Sequence, residues 1–79
     1  MSARARDEAD RLIAEGNRAE DGGRLEEARD IYRRAVAAAP NHARAHVNLG
    51  IALEALGDVE GAAASHRAAL AVDASDAYA

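Results

Sequence analysis

The chain repeats itself once, because residues 9–42 can be laid over residues 43–76 at a spacing of 34 residues. Nine of the 34 pairs are identical in this overlay, and apolar anchors such as Ile13/Val47 and Val36/Leu70 are conservatively replaced. The identical pairs at small residues include Gly16/Gly50, Gly23/Gly57, Ala28/Ala62 and Ala35/Ala69. Because packing between helices restricts side-chain size at such positions, the repeat predicts one structural unit that is used twice.

Each copy has the pattern of two amphipathic helices joined by a short turn. In the first copy, apolar residues recur at helical spacing before and after the pair Gly22 and Gly23. These glycines can adopt the positive φ that ends a helix and turns the chain back. Pro40 predicts the end of the second helix, and Asn41 is expected to cap the third.

The second copy follows the same plan, with helices expected over about residues 42–56 and 59–72 and a break at Gly57 and Asp58. We divide the chain accordingly into a partly helical lead-in (1–8), repeat 1 (9–42), repeat 2 (43–76) and the start of a third, truncated repeat (77–79).

Composition excludes several classes of protein. The chain has no cysteine, and we find no run of about 18 apolar residues that would mark a membrane span. Its net charge is −4, so it lacks the basic face that nucleic-acid binding requires. Every basic residue is arginine and 23 of the 79 residues are alanine, a bias typical of a GC-rich bacterial genome. We therefore expect a cytoplasmic protein.

The two copies resemble the tetratricopeptide repeat, a 34-residue helix-turn-helix unit with the signature W-x2-L-G-x2-Y, then A-x3-F, then P. The first copy reads Leu12-x2-Glu15-Gly16-x2-Ala19, then Ala28-x3-Tyr32, then Pro40. The second reads His46-x2-Leu49-Gly50-x2-Leu53, then Ala62-x3-His66, then Ala74. The resemblance implies an all-α fold in which two hairpins stack as a short right-handed α-solenoid.

The resemblance also implies a concave groove, lined by the first helix of each repeat, that binds a peptide or a helix of a partner protein. Carried over by position, the residues expected to bind the partner are Ile13, Asn17, Arg44, Val47, Asn48 and Ile51, with Asp10, Glu20 and Glu54 beside them. Ile13, Val47 and Ile51 are apolar at positions that the hairpin core does not need. Asn48 can both donate to and accept from a ligand backbone.

Some family members hold the C-terminal carboxylate of a chaperone in a clamp of lysines, asparagines and an arginine. Asn17 and Asn48 match two clamp positions, but Ile13 and Tyr78 replace the lysines. Because a carboxylate held without cations loses most of its affinity, we expect no such clamp here.

Repeat arrays usually end in a polar capping helix, and an array without one exposes apolar surface on its last helix. Because the given sequence stops at the start of a third copy, we expect an open apolar face on the last helix. This face would include Ala63, Leu70 and Val72, and it leads us to expect self-association of the chain, most simply as a dimer.

Chemistry of its own is not indicated by the sequence. His42 and His46 are four residues apart, a spacing that can hold a metal ion, but no third ligand is evident. We therefore predict no metal, no cofactor and no enzymatic activity, and we interpret the chain as a protein-interaction module. The alternatives are a structural self-assembly element, the interaction part of a larger bacterial enzyme and, far behind, a metal-dependent enzyme.

Overall fold

The structure, a computed structural model, describes the backbone of residues 2–77 and the side chains of residues 2–74. The described backbone forms helices only: α1 (Ala3–Asp21), α2 (Leu25–Ala38), α3 (Ala43–Ala55) and α4 (Val59–Ala77). The predicted all-α fold of two hairpins is therefore confirmed. Within the described residues, none of these helices is long and apolar enough to cross a bilayer.

The helices pack in chain order. The largest contacts join α1 to α2 and α3 to α4, which are the two hairpins, and α2 packs on α3 to join them. A smaller contact between α1 and α3 places the first helices of the two repeats side by side. This is the stacking of a short α-solenoid.

Both hairpin turns follow the sequence prediction. Among the described residues, Gly23 and Gly57 have positive φ, at 78° and 86°, whereas Gly22 has a φ of −83°. In the first turn, the Arg24 amide donates to the Ala19 carbonyl at 2.9 Å, and in the second the Asp58 amide donates to the Leu53 carbonyl at 2.8 Å. These bonds satisfy helix carbonyls that would otherwise lack a partner, as in the Schellman motif.

The core of each hairpin pairs a glycine with a ring. Tyr32 is fully buried, and a Cβ on Gly16 would overlap its ring. In the second hairpin, a Cβ on Gly50 would come within 2.7 Å of the His66 imidazole. The small residues in the overlay therefore mark places where two helices come close together.

Two boundary expectations are corrected by the structure. Helix α4 continues to Ala77 instead of ending near residue 72, because Ala74 stands where the first repeat has the helix-ending Pro40. Asn41 does not cap α3; His42 is the N-cap residue, and its side chain makes no capping bond. Residues 3–8, in the lead-in that we expected to be partly helical, belong to α1. Tyr78 and Ala79, in the expected third repeat, lie outside the described residues.

We predict that Gly16→Ala destabilises the protein more than Gly50→Ala does. The Tyr32 ring is fully buried and cannot move aside, whereas the His66 side chain is only partly covered. Overpacking costs about 1–3 kcal/mol and the better helix propensity of alanine returns up to about 1 kcal/mol, so Gly16→Ala should lose ~1–2 kcal/mol. Urea denaturation followed by circular dichroism measures both variants, and equal stability of the two would contradict the packing argument.

Candidate protein-binding surface

The outward face of α3 carries most of the residues expected to bind a partner. Val47 and Ile51 keep 36% and 43% of their surface exposed, and they lie one helical turn apart. Arg44 is also exposed, and Asn48 is half-buried beside them. We use the name α3 face for the outward side of this helix that holds Ala43, Arg44, Val47, Ile51, Glu54 and Ala55.

Ile13 does not belong to an exposed surface, which corrects our reading of that residue. It is only 4% exposed and lies in the hydrophobic core. Helix α1 packs against both α2 and α3, so it buries a wider stripe than the hairpin alone requires. Its counterpart Val47 stays exposed because no described helix covers that side of α3.

Asp10 is engaged by a histidine of the inter-repeat turn. His42 is only 5% exposed, and its Nε2 lies 2.6 Å from Oδ1 of Asp10. The hydrogen bond from His42 holds the pKa of the Asp10 carboxyl below its ordinary value; partial burial opposes this, and the charges of Arg6 and Arg44 add to it. The pair therefore joins α1 to His42, the N-cap residue of α3.

The other two polar residues expected on α1 contact Tyr32 of α2. The Tyr32 hydroxyl lies 2.6 Å from Oδ1 of Asn17 and 3.1 Å from Oε1 of Glu20. Burial, with a smaller contribution from the bond to Glu20, raises the pKa of Tyr32. Since the hydroxyl is neutral, its single proton serves one acceptor at a time. Asn17 is still exposed, but its amide oxygen is held by its own hairpin.

The charged residues of α3 have no such partners. Neither Arg44 nor Glu54 forms an ion pair with another side chain in residues 2–74. Both are exposed, and they stand on either side of Val47 and Ile51. The α3 face thus offers two aliphatic side chains between a cation and an anion.

The two histidines considered for metal binding are used in protein contacts. His42 binds Asp10, and Nε2 of His46 donates to the Pro40 carbonyl oxygen at 2.7 Å. The described side chains contain no group of three His, Cys, Asp or Glu residues placed to share a metal ion. A metal held through both Nε2 atoms would first have to break both hydrogen bonds.

The open face expected on α4 is present in part. Leu70 is 68% exposed, whereas its counterpart Val36 in the first repeat is packed against the core. Ala63 and Val72, the other two residues expected there, are partly covered. Val59, at the start of α4, is 71% exposed as well.

Sequence reasoning missed the Asp10–His42 pair and the contacts of the Tyr32 hydroxyl. Asp10 and His42 are 32 residues apart, and the second copy has Arg44 and Asp76 in their places, so the overlay does not repeat the pair. The contacts of the Tyr32 hydroxyl could have been predicted from the hairpin pattern. The Tyr32 ring packs on Gly16, and Asn17 is the next residue of α1.

Comparison with protein families identifies the family of the chain. The model of the family described as "Tetratricopeptide repeat" matches residues 13–79, which is most of the chain. No curated protein matches the sequence significantly.

We predict that Asp10→Asn lowers stability near neutral pH and that this effect fades in acid. Because the pKa of Asp10 is lowered in the folded state, its contribution is present above the ordinary value of 3.8 and is lost as the pH falls through the folded-state pKa. The Asp10 side chain is half-exposed, so the loss near pH 7 should be only about 0.5–1 kcal/mol.

Urea denaturation of parent and Asp10→Asn between about pH 7 and pH 2 measures this difference. Asp7→Asn is the matched control, since Asp7 lies on the same helix and forms no ion pair with the described side chains. A loss of the same size in both variants would mean that the contact with His42 adds nothing.

Proposed function

We propose a function for this chain from one premise: it belongs to the tetratricopeptide repeat family, whose repeats generally mediate protein–protein interactions and are not catalytic. On this basis, the chain binds a segment of a partner protein on the α3 face, and α1 forms the edge of the binding surface. The observation that carries the proposal is the exposure of Val47 and Ile51 on one side of α3.

The two aliphatic side chains supply the affinity. Burying a valine or isoleucine completely is worth about 1.5–3 kcal/mol, so two half-exposed side chains can add roughly 1 kcal/mol each when a partner covers them. A contact of this size suits a segment that presents aliphatic or aromatic side chains along α3, with contacts to neighbouring elements adding the rest.

Polar groups beside the aliphatic pair orient the bound segment. Asn48 is half-buried and carries an amide that both donates and accepts, so it fits a ligand backbone. The amide nitrogen of Asn17 is available to a ligand acceptor, because the contact with Tyr32 uses the amide oxygen. Arg44 favours a carboxylate in the partner, as a guanidinium does at an exposed surface.

Helix α1 contributes less to binding than the resemblance implied. Its aliphatic candidate Ile13 is in the core, and Asp10 and Glu20 contact His42 and Tyr32. The proposed binding surface is therefore centred on the second repeat.

A second candidate function is self-assembly through the end of the solenoid, and the exposure of Leu70 favours it. In this reading, Leu70 packs against a helix of another chain, and the partly covered Ala63 and Val72 complete the contact. The product would be a homo-oligomer, of which a two-fold dimer is the simplest closed form.

We predict that Ile51→Asp weakens partner binding about tenfold or more, since a buried carboxylate replaces an anchor at the centre of the contact. Proteins captured from a source lysate by the parent chain are identified by mass spectrometry, and their affinities are then measured with purified components. Val59→Asp is the control, because it gives another exposed aliphatic residue the same new charge away from the α3 face. Partners retained equally by parent, Ile51→Asp and Asn48→Ala would rule out the α3 face as the binding site.

For the second candidate, we predict that self-association through the solenoid end is lost in Leu70→Glu, because the new charge would be buried in the contact. Sedimentation equilibrium over micromolar to millimolar concentrations measures it. Val59→Glu, which changes another exposed aliphatic residue of α4, serves as the control. A mass that does not change with Leu70→Glu would exclude this face.

A further inference from the structure

The α3 face is symmetric in side-chain size about Leu49 and opposite in charge at its two ends. Val47 and Ile51 lie two residues to either side of Leu49, and Arg44 and Glu54 lie five residues to either side. Ala43 and Ala55 lie six residues to either side. Leu49 itself is buried, so the side of the helix opposite to it, which carries these pairs, is the exposed side.

From this symmetry we infer that the α3 face binds a second copy of the chain, with the two α3 helices antiparallel across a two-fold axis at the level of Leu49. Because the inference assigns a partner to the surface of the proposed function, it rests on that function. A two-fold contact is self-complementary, so it needs a surface whose two halves match each other, and the α3 face has this property.

The geometry of an antiparallel helix pair brings the matching residues together. With a rise of about 1.5 Å per residue, Arg44 and Glu54 stand roughly 15 Å apart along the axis. In the pair, Arg44 of one chain is therefore level with Glu54 of the other, and this happens twice. Val47 of each chain meets Ile51 of the other at the centre, and the small residues Ala43 and Ala55 at the margins let the helices approach to about 8–10 Å.

Arg44 and Glu54 suit this contact because both can reach a side chain of another chain. Both are exposed and neither forms an ion pair with the described side chains. Two intermolecular pairs at the rim would fix the antiparallel direction, since the parallel arrangement places Arg44 on Arg44 and Glu54 on Glu54.

The exposed face of α4 suits a two-fold contact less well, because a cation lies at its centre. Arg67 stands at the centre of its outward residues, with Ala63 and Ala71 one turn to either side. A two-fold pair of α4 helices centred there would set the two guanidinium groups of Arg67 against each other. Like charges across a contact suppress association, so a second copy fits α3 better than α4.

The dimer is expected to be weak. One helix face buries less than the ~800 Å² per partner of a stable complex, so we expect a dissociation constant on the order of 0.1–1 mM. A partner protein with a larger contact would displace the second copy from the same residues. Self-association and partner binding would then exclude each other.

Charge reversal tests the arrangement with two single variants and their mixture. Arg44→Glu alone makes both rim pairs of the dimer negative, and Glu54→Arg alone makes both positive. We expect each variant to raise the dissociation constant of self-association about tenfold, measured by sedimentation equilibrium. In an equimolar mixture, both rim pairs of a heterodimer again join a carboxylate of the first variant to a guanidinium of the second. We therefore expect heterodimers that are as stable as the parent dimer to within about threefold.

NMR locates the contact, with ¹⁵N-labelled Arg44→Glu titrated with unlabelled Glu54→Arg. Shift changes concentrated on α3 support the inference, and so does a smaller effect of the charge reversals in 1 M salt, where the screening length is only about 3 Å. Thermal unfolding of each variant confirms that it is folded. The double variant Arg44→Glu/Glu54→Arg, which restores both pairs, should self-associate like the parent.

Three outcomes would overturn the inference: a parent chain that stays monomeric to millimolar concentration, charge reversals without effect on association, or an association lost in Leu70→Glu but kept in Ile51→Asp. Failure of the proposed function looks different, because captured partners would then bind Ile51→Asp as well as they bind the parent, whatever the oligomeric state. The recovery of association on mixing Arg44→Glu with Glu54→Arg tests only the binding of a second copy, because no other protein takes part in it.

Discussion

The close approach of two helices at Gly16 is the contact on which the first repeat depends. The buried ring of Tyr32 occupies the space where any side chain at residue 16 would lie. This contact sets the separation of α1 and α2, and it also aims the Tyr32 hydroxyl at Asn17 and Glu20. A packing requirement in the core thus decides which polar groups of α1 remain available to a ligand.

The second repeat applies the same constraint with smaller and more polar groups. His66 replaces Tyr32 as the ring over the glycine, and Ser65 replaces Ile31 at the next buried position. Helix α4 therefore brings fewer apolar side chains into the core than α2 does. The packing of α2 on α3, together with the bond between Asp10 and His42, ties this weaker hairpin to the stronger one.

The parts of the fold that depend on neighbours in sequence could be predicted from the sequence. Both turns follow from glycines at fixed positions, and the hairpins follow from helical periodicity with small residues at the crossings. The position of Ile13 could not be predicted in this way, because α1 packs on α3 as well as on α2, and α3 lies one repeat further along the chain. The same limit applies to the pair of Asp10 and His42, whose contact exists only after the repeats have stacked. By contrast, Val47 and Ile51 are exposed because no described helix lies over them, so the amphipathic pattern of α3 alone decides their environment.

Duplication explains why one set of positions serves two purposes. Asp10 and Ile13 in the first copy correspond to Arg44 and Val47 in the second. In the first copy these positions form the joint between repeats, since Asp10 binds His42 and Ile13 lies in the core. In the second copy the corresponding side chains are exposed, and Arg44 has no ion pair within residues 2–74. Stacking one repeat on another thus turns a potential binding face into an internal contact, and it leaves the equivalent face of the last described repeat as the surface on which another protein can bind.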